Sequence, residues 1–202
     1  TGYYNDNLVF LHEKLSDHLP EAERDADAPR QRIWRVRARR VVLATGAIER
    51  PLVFDGNDRP GIMLAGAVRT YLHRYGVLPG QKALIFTNNN NAWQTAFDLK
   101  RAGAAVAGIV DLRHETEPAL RGAAADLDIP VYAGAAVDGT RGRKRIESAG
   151  VQPITADGSP DGEPNDIECD LLAVSGGWSP NAALFSQSRG QLRYDEELAA
   201  MR

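Results

Sequence analysis

The residues Thr87-Asn88-Asn89-Asn90-Asn91-Ala92 follow the apolar run Lys82-Ala83-Leu84-Ile85-Phe86 and open a helical pattern from Ala92 to Ala102. Asp111 closes the next apolar run, 23 residues beyond Asn88 and near the separation such a site needs. Residues of these types at this spacing can bind a dinucleotide. A turn from strand to helix aims backbone amides and the positive helix end at a pyrophosphate, while an acidic residue ending the second strand accepts the ribose hydroxyls. The usual turn is Gly-x-Gly-x-x-Gly, and asparagines stand in it here. Asparagine tolerates positive φ better than most residues with a side chain, and its amide can donate to a phosphate oxygen. Asn90 or Asn91 can also cap the helix. Asp111 favours NAD over NADP, although Arg113, with His114 beside it, could receive a 2′-phosphate instead.

Two further places put small residues where an apolar strand ends: Val41-Val42-Leu43-Ala44-Thr45-Gly46 and Leu171-Leu172-Ala173-Val174-Ser175-Gly176-Gly177. Val41 to Ala44 lack polar alternation, which predicts a strand covered on both faces, as in a parallel sheet. Glycines at these ends let the backbone approach a ligand. Tight strand-to-loop packing is the alternative reason for them. Thr45, Gly46, Gly176 and Gly177 therefore join Asn88, Asn89, Asn90 and Asp111 as candidate cofactor contacts. Trp178 is expected in the core rather than stacked on a cofactor.

The elements that must position these residues are legible from periodicity. Leu8 to His12 and Arg32 to Arg37 predict a hairpin around the acidic stretch from Pro20 to Pro29. Arg35, Arg37 and Arg39 alternate with Trp34, Val36 and Ala38, the pattern of a strand with one wet face. A helix is expected from Ile62 to Tyr75, then a βαβ unit of strand 82–86, helix 92–102 and strand 105–110. A helix over 117–126, strands near 129–132, 145–147 and 150–152, and a loop over 155–166 complete the pattern. The two crossings bracket a block of domain size. The expected organisation is a partial outer dinucleotide-binding domain over 1–50, an inserted NAD-binding domain over 51–174, and a return to the outer domain over 175–202. In fold class this is α/β: a Rossmann-like domain inserted between segments of an FAD/NAD(P)-binding flavoprotein domain.

Composition narrows the function. The 202 residues carry 24 Lys and Arg against 27 Asp and Glu, a net charge of −3, which disfavours nucleic acid or an anionic membrane as partner. With one cysteine, Cys169, the chain has no internal disulfide and no Cys-x-x-Cys redox pair. Cys169 is expected to be a small core residue. The four histidines, His12, His18, His73 and His114, show neither metal-ligand spacing nor a neighbouring nucleophile, so no metal site and no catalytic residue is assigned. No apolar run reaches membrane-helix length and the polar start is no signal peptide, so the expectation is a cytoplasmic protein. The start at Thr1 suggests a piece of a longer polypeptide.

Three stretches, Val41 to Pro51, Asn57 to Ala67, and Leu171 to Leu184 with Gly176-Gly177-Trp178-Ser179-Pro180-Asn181, resemble the α subunits of heterotetrameric sarcosine oxidase. The asparagine-rich turn is similar to that subunit too. The resemblance implies a subunit with two dinucleotide-binding domains that holds NAD and assembles with smaller flavin-bearing (FAD/FMN) subunits. It implies a complex that oxidises sarcosine to glycine, passes the one-carbon unit to tetrahydrofolate and yields hydrogen peroxide, with no complete catalytic site in these residues. The α subunits of opine oxidases, hydrogen cyanide synthase and dye-linked proline dehydrogenase share the crossings. The alternatives are an NADH-dependent flavoprotein reductase or amine, opine or proline dehydrogenase subunit, and a non-catalytic assembly scaffold.

Overall fold

Five apolar runs assemble into one parallel sheet in the order Ile62–Leu64, Leu171–Ser175, Lys82–Thr87, Ala105–Asp111, Val131–Ala133. The computed structural model describes residues 2–202. They divide into two units: Thr1–Ile48 with Ser179–Arg202, and Glu49–Trp178. The parallel sheet belongs to the second unit. Its strands read as continuous apolar runs because both faces are covered. Ala83, Ile85, Leu171 and Ala173 pack with Val68, Trp93, Phe97 and Leu99 on the helical side. Leu84, Phe86, Leu172 and Val174 alternate with them and pack with Val137, Ile146 and Val151 on the other. That second layer is an antiparallel sheet of Asn165–Glu168, Ser148–Pro153 and Ala135–Arg141. Burying Leu84 or Leu172 completely contributes about 2–3 kcal/mol each.

The helical layer comprises Ala65–Tyr75, Asn91–Arg101 and Pro118–Asp126. The first is shorter than its apolar spacing predicts, since Ile62–Leu64 pairs in parallel with Leu172 to Val174 and is a strand. Glu49 sets the start of that helix by accepting the Gly66 amide on Oε2 at 2.8 Å. Gly76, at φ 64, ends it in a left-handed cap that few other residues adopt cheaply. Arg145 to Glu147 form no strand, and the Ala135–Arg141 strand stands where no strand was expected.

In the discontinuous unit, Gly2–Tyr4, Leu8–Lys14 and Gln31–Arg37 form an antiparallel sheet, and the expected hairpin pairs Leu8 with Arg37 through Lys14 with Gln31. Every residue of Gln31–Arg37 is exposed, so the alternating arginines mark no single wet face. Residues 41–44 form no strand, and Val42 is 89% exposed. An apolar strand needs neighbouring strands for its backbone groups, and among the described residues none pairs with this segment.

Candidate functional site

The asparagine turn sits at the carboxyl ends of two adjacent parallel strands, the place where open α/β sheets bind ligands. Thr87, Asn89 and Ala92 occupy the three glycine positions of the usual fingerprint. Asn89 is the most heavily engaged of them. Its Oδ1 accepts the amides of Asn91 (3.1 Å) and Ala92 (3.3 Å), the first turn of the following helix. Its Nδ2 donates to the Ser175 carbonyl (3.2 Å), to Ser175 Oγ (3.1 Å) and to Asn88 Oδ1 (3.2 Å). Asn90 holds the N-cap position, and the side chain that caps the helix is that of Asn89. Asn88 leans toward the neighbouring strand end, with Nδ2 at 3.5 Å from the Gly176 carbonyl. Thr87, fully buried, ties the turn by accepting the Asn89 amide at 3.1 Å.

Asp111 ends the neighbouring strand with no exposed surface. Its Oδ1 accepts the Arg113 amide (3.0 Å) and Arg113 Nε (2.9 Å), and its Oδ2 accepts Arg113 Nη2 (2.8 Å) and Trp93 Nε1 (2.8 Å). The Asp111 carboxylate, through hydrogen bonding above all, pushes the Arg113 guanidinium further up from its ordinary value, against the effect of burial. Arg113 Nη1 continues to Asn90 Oδ1 (2.8 Å), and Asn90 Nδ2 to Glu117 Oε2 (3.0 Å). A chain of polar contacts therefore runs from Glu117 over Asn90 and Arg113 to Asp111. Arg113, weighed for a 2′-phosphate, is spent on Asp111.

Trp93 and Glu117 were not singled out from sequence, and Ser175 was named only as part of its strand-to-glycine crossing. A tryptophan in the first helical turn offered one signal, because a buried indole needs an acceptor for its N–H. As arranged, the turn and Asp111 do not fit the pyrophosphate and ribose of NAD, since the amides and the carboxylate those groups would use are already engaged.

The glycine crossings have local reasons. Gly176 donates to the Arg50 carbonyl (2.7 Å) and Arg50 donates to the Gly177 carbonyl (2.9 Å). A Cβ on Gly176 would lie 2.8 Å from the Pro51 carbonyl, so backbone crowding alone demands glycine. Gly177 has φ 93. In the discontinuous unit Thr45 Oγ1 donates to the Asn181 carbonyl (2.6 Å), and the Asn181 amide donates to Gly46. Gly46 takes φ 67 with open space beside it. Asn88, Asn89, Gly176 and Gly177 are thus brought to one strand-end cluster, with Asn90 and Asp111 alongside in the same unit. Thr45 and Gly46 belong to the other unit.

Trp178 is 39% exposed, contrary to the expected core position. Cys169 is buried, and burial pushes its thiol up to about 12. Among the described residues no group of His, Cys, Asp or Glu could hold a metal ion, and no helix is long and apolar enough to cross a membrane.

The parallel sheet with a strand-turn-helix crest is similar in fold to solved oxidoreductases. L-proline dehydrogenase from P. horikoshii matches 81% of this chain and 26% of its own, with TM-score 0.54 and 21% identity. T. acidophilum thioredoxin reductase matches 75% and 48%, with TM-score 0.58 and 18% identity. No family model matches the chain. In sequence, the chain is similar to sarcosine oxidase α subunits. That of Corynebacterium sp. (strain P-1) is 42% identical over 202 residues, 98% of this chain. The chain spans about a fifth (20%) of that relative's length. The relatives are oxidoreductase subunits, each much longer than these 202 residues.

Proposed function

We propose that the chain is the central part of the α subunit of a sarcosine-oxidase-type complex. The observation that carries this reading is the 42% identity held across 98% of the chain. The complex is soluble and cytoplasmic. It oxidises sarcosine to glycine, passes the one-carbon unit to tetrahydrofolate and yields hydrogen peroxide, with smaller flavin-bearing subunits housing the amine oxidation. NAD is held by the α subunit, while Thr45 and Gly46 of the discontinuous unit face the outer domain's nucleotide. Asn88, Asn89, Asn90, Asp111, Gly176 and Gly177 shape the inserted domain that supports the assembly.

A second reading, a dehydrogenase subunit acting on another amine, rests on the likeness in fold to L-proline dehydrogenase. The test is sarcosine-dependent oxygen uptake and peroxide release by the full-length subunit assembled with its partners. Turnover of sarcosine with tetrahydrofolate is the expected result. Turnover of proline or an opine without sarcosine activity supports the second reading, and an assembled complex inert to all three amines overturns both.

A further inference from the structure

We infer that the crest of the Glu49–Trp178 unit is a dinucleotide site filled by its own side chains, with Asn89 standing where a pyrophosphate would lie and Arg113 covering the acidic acceptor of the ribose. In a working fingerprint the second glycine is required because the backbone there must come within contact of the pyrophosphate. Asn89 holds that position, and its side chain is folded back onto the helix it precedes. The Asn91 and Ala92 amides, which would face an anionic oxygen, face Asn89 Oδ1 at 3.1 and 3.3 Å. The same side chain is pinned from its other end by Ser175, so turning it away costs hydrogen bonds on both sides.

The second half of the site is closed by a separate device. An acceptor for ribose hydroxyls must be open to the ligand, and Asp111 has no exposed surface. Each of its oxygens accepts two donors, Oδ1 from Arg113 alone and Oδ2 from Arg113 and Trp93. Opening it would strand a carboxylate within the fold or unseat a guanidinium that also bonds Asn90. Two independent hydrogen-bond networks thus supply from within what a nucleotide would supply from outside. The domain keeps the shape of a nucleotide-binding half and gives it to structure, so any NAD in the parent subunit rests elsewhere.

The test is Asn89→Asp in the full-length subunit within its complex. Aspartate retains the oxygen that caps Asn91 and Ala92 but gives up the donor to Ser175, and a negative charge suits a helix start. It also sets a charge against any pyrophosphate at the crest. The expected result is an unchanged molar ratio of NAD released on denaturing the purified complex. A fall of about tenfold or more in a variant that assembles overturns the inference. Should the variant fail to assemble, a structure of the parent complex at saturating NAD decides: nucleotide density away from Asn89 and Arg113 supports a filled crest, and density across them refutes it. A parent complex that holds no NAD at all also supports the filled crest, and it removes NAD from the proposed function alone.

Discussion

Replacing Arg113 with alanine strips the Asp111 carboxylate of two of its four hydrogen bonds, leaving the Trp93 indole and the backbone amide of residue 113. Asp111 has no exposed surface, so its charge would remain in place with its counter-ion gone. Breaking a fully buried ion pair costs roughly 3–5 kcal/mol. The guanidinium side chain is 34% exposed, so solvent already screens the pair, and water can follow where the side chain leaves. The expected loss is therefore about 2 kcal/mol, or about 4–8 °C in melting temperature for a protein of this size. Urea unfolding followed by tryptophan fluorescence measures it, with Trp93 lying against the altered carboxylate. Adding Asp111→Asn removes the stranded charge, so the double variant is expected to be more stable than Arg113→Ala alone. A single variant within about 0.3 kcal/mol of the parent would falsify the account of Asp111 as a buried, internally satisfied carboxylate.

Other perturbations probe the surrounding structure. Asp98 is desolvated, which raises its pKa, but hydrogen bonds from His73 and Arg69 outweigh this and hold its carboxyl below the ordinary value of 3.8. A folded-state pKa below the unfolded one means stability that is present above 3.8 and lost as pH falls through the lower, folded value. Asp98→Asn is therefore expected to flatten the fall in stability in that acid range; an unchanged acid-unfolding slope would contradict it. Gly176→Ala drives a methyl against the Pro51 carbonyl and should cost about 1–3 kcal/mol by overpacking. Gly46→Ala meets no neighbour within 4 Å and should cost only the left-handed strain, about 1–2 kcal/mol. Thermal melts of the two variants measure the costs, and a Gly176→Ala variant that melts with the parent would reject crowding as the reason for Gly176. Cys169, with its thiol pushed up to about 12, should resist a disulfide reagent around pH 8 until urea unfolds the chain. Rapid labelling of the native protein would show that the thiol is open.

The sequence was a good guide to elements whose signal is local. Lys82–Thr87, Asn91–Arg101 and Ala105–Asp111 fall close to their expected bounds, because a strand buried on both faces reads as an unbroken apolar run and a helix as a 3.6-residue stripe. Ile62–Leu64 was read into a helix because its apolar spacing suits either state, and its parallel pairing with Leu172 to Val174 decided the matter. Val41 to Ala44 carry an equally strong apolar signal without a paired neighbour among the described residues, so composition alone did not make them a strand.

By itself, then, the sequence determined the strand-helix-strand order over 82–111, the placing of an asparagine turn and an acidic residue at adjacent strand ends, and the resemblance to sarcosine oxidase α subunits. Only the tertiary structure decided what those polar residues do. A side chain's type says which hydrogen bonds it can make, but the partner that wins is set by distance in space. Ser175 reaches Asn89 from 86 positions away, and Trp93 reaches Asp111 from 18. Those contacts turn a motif that reads as a ligand site into one that holds itself closed.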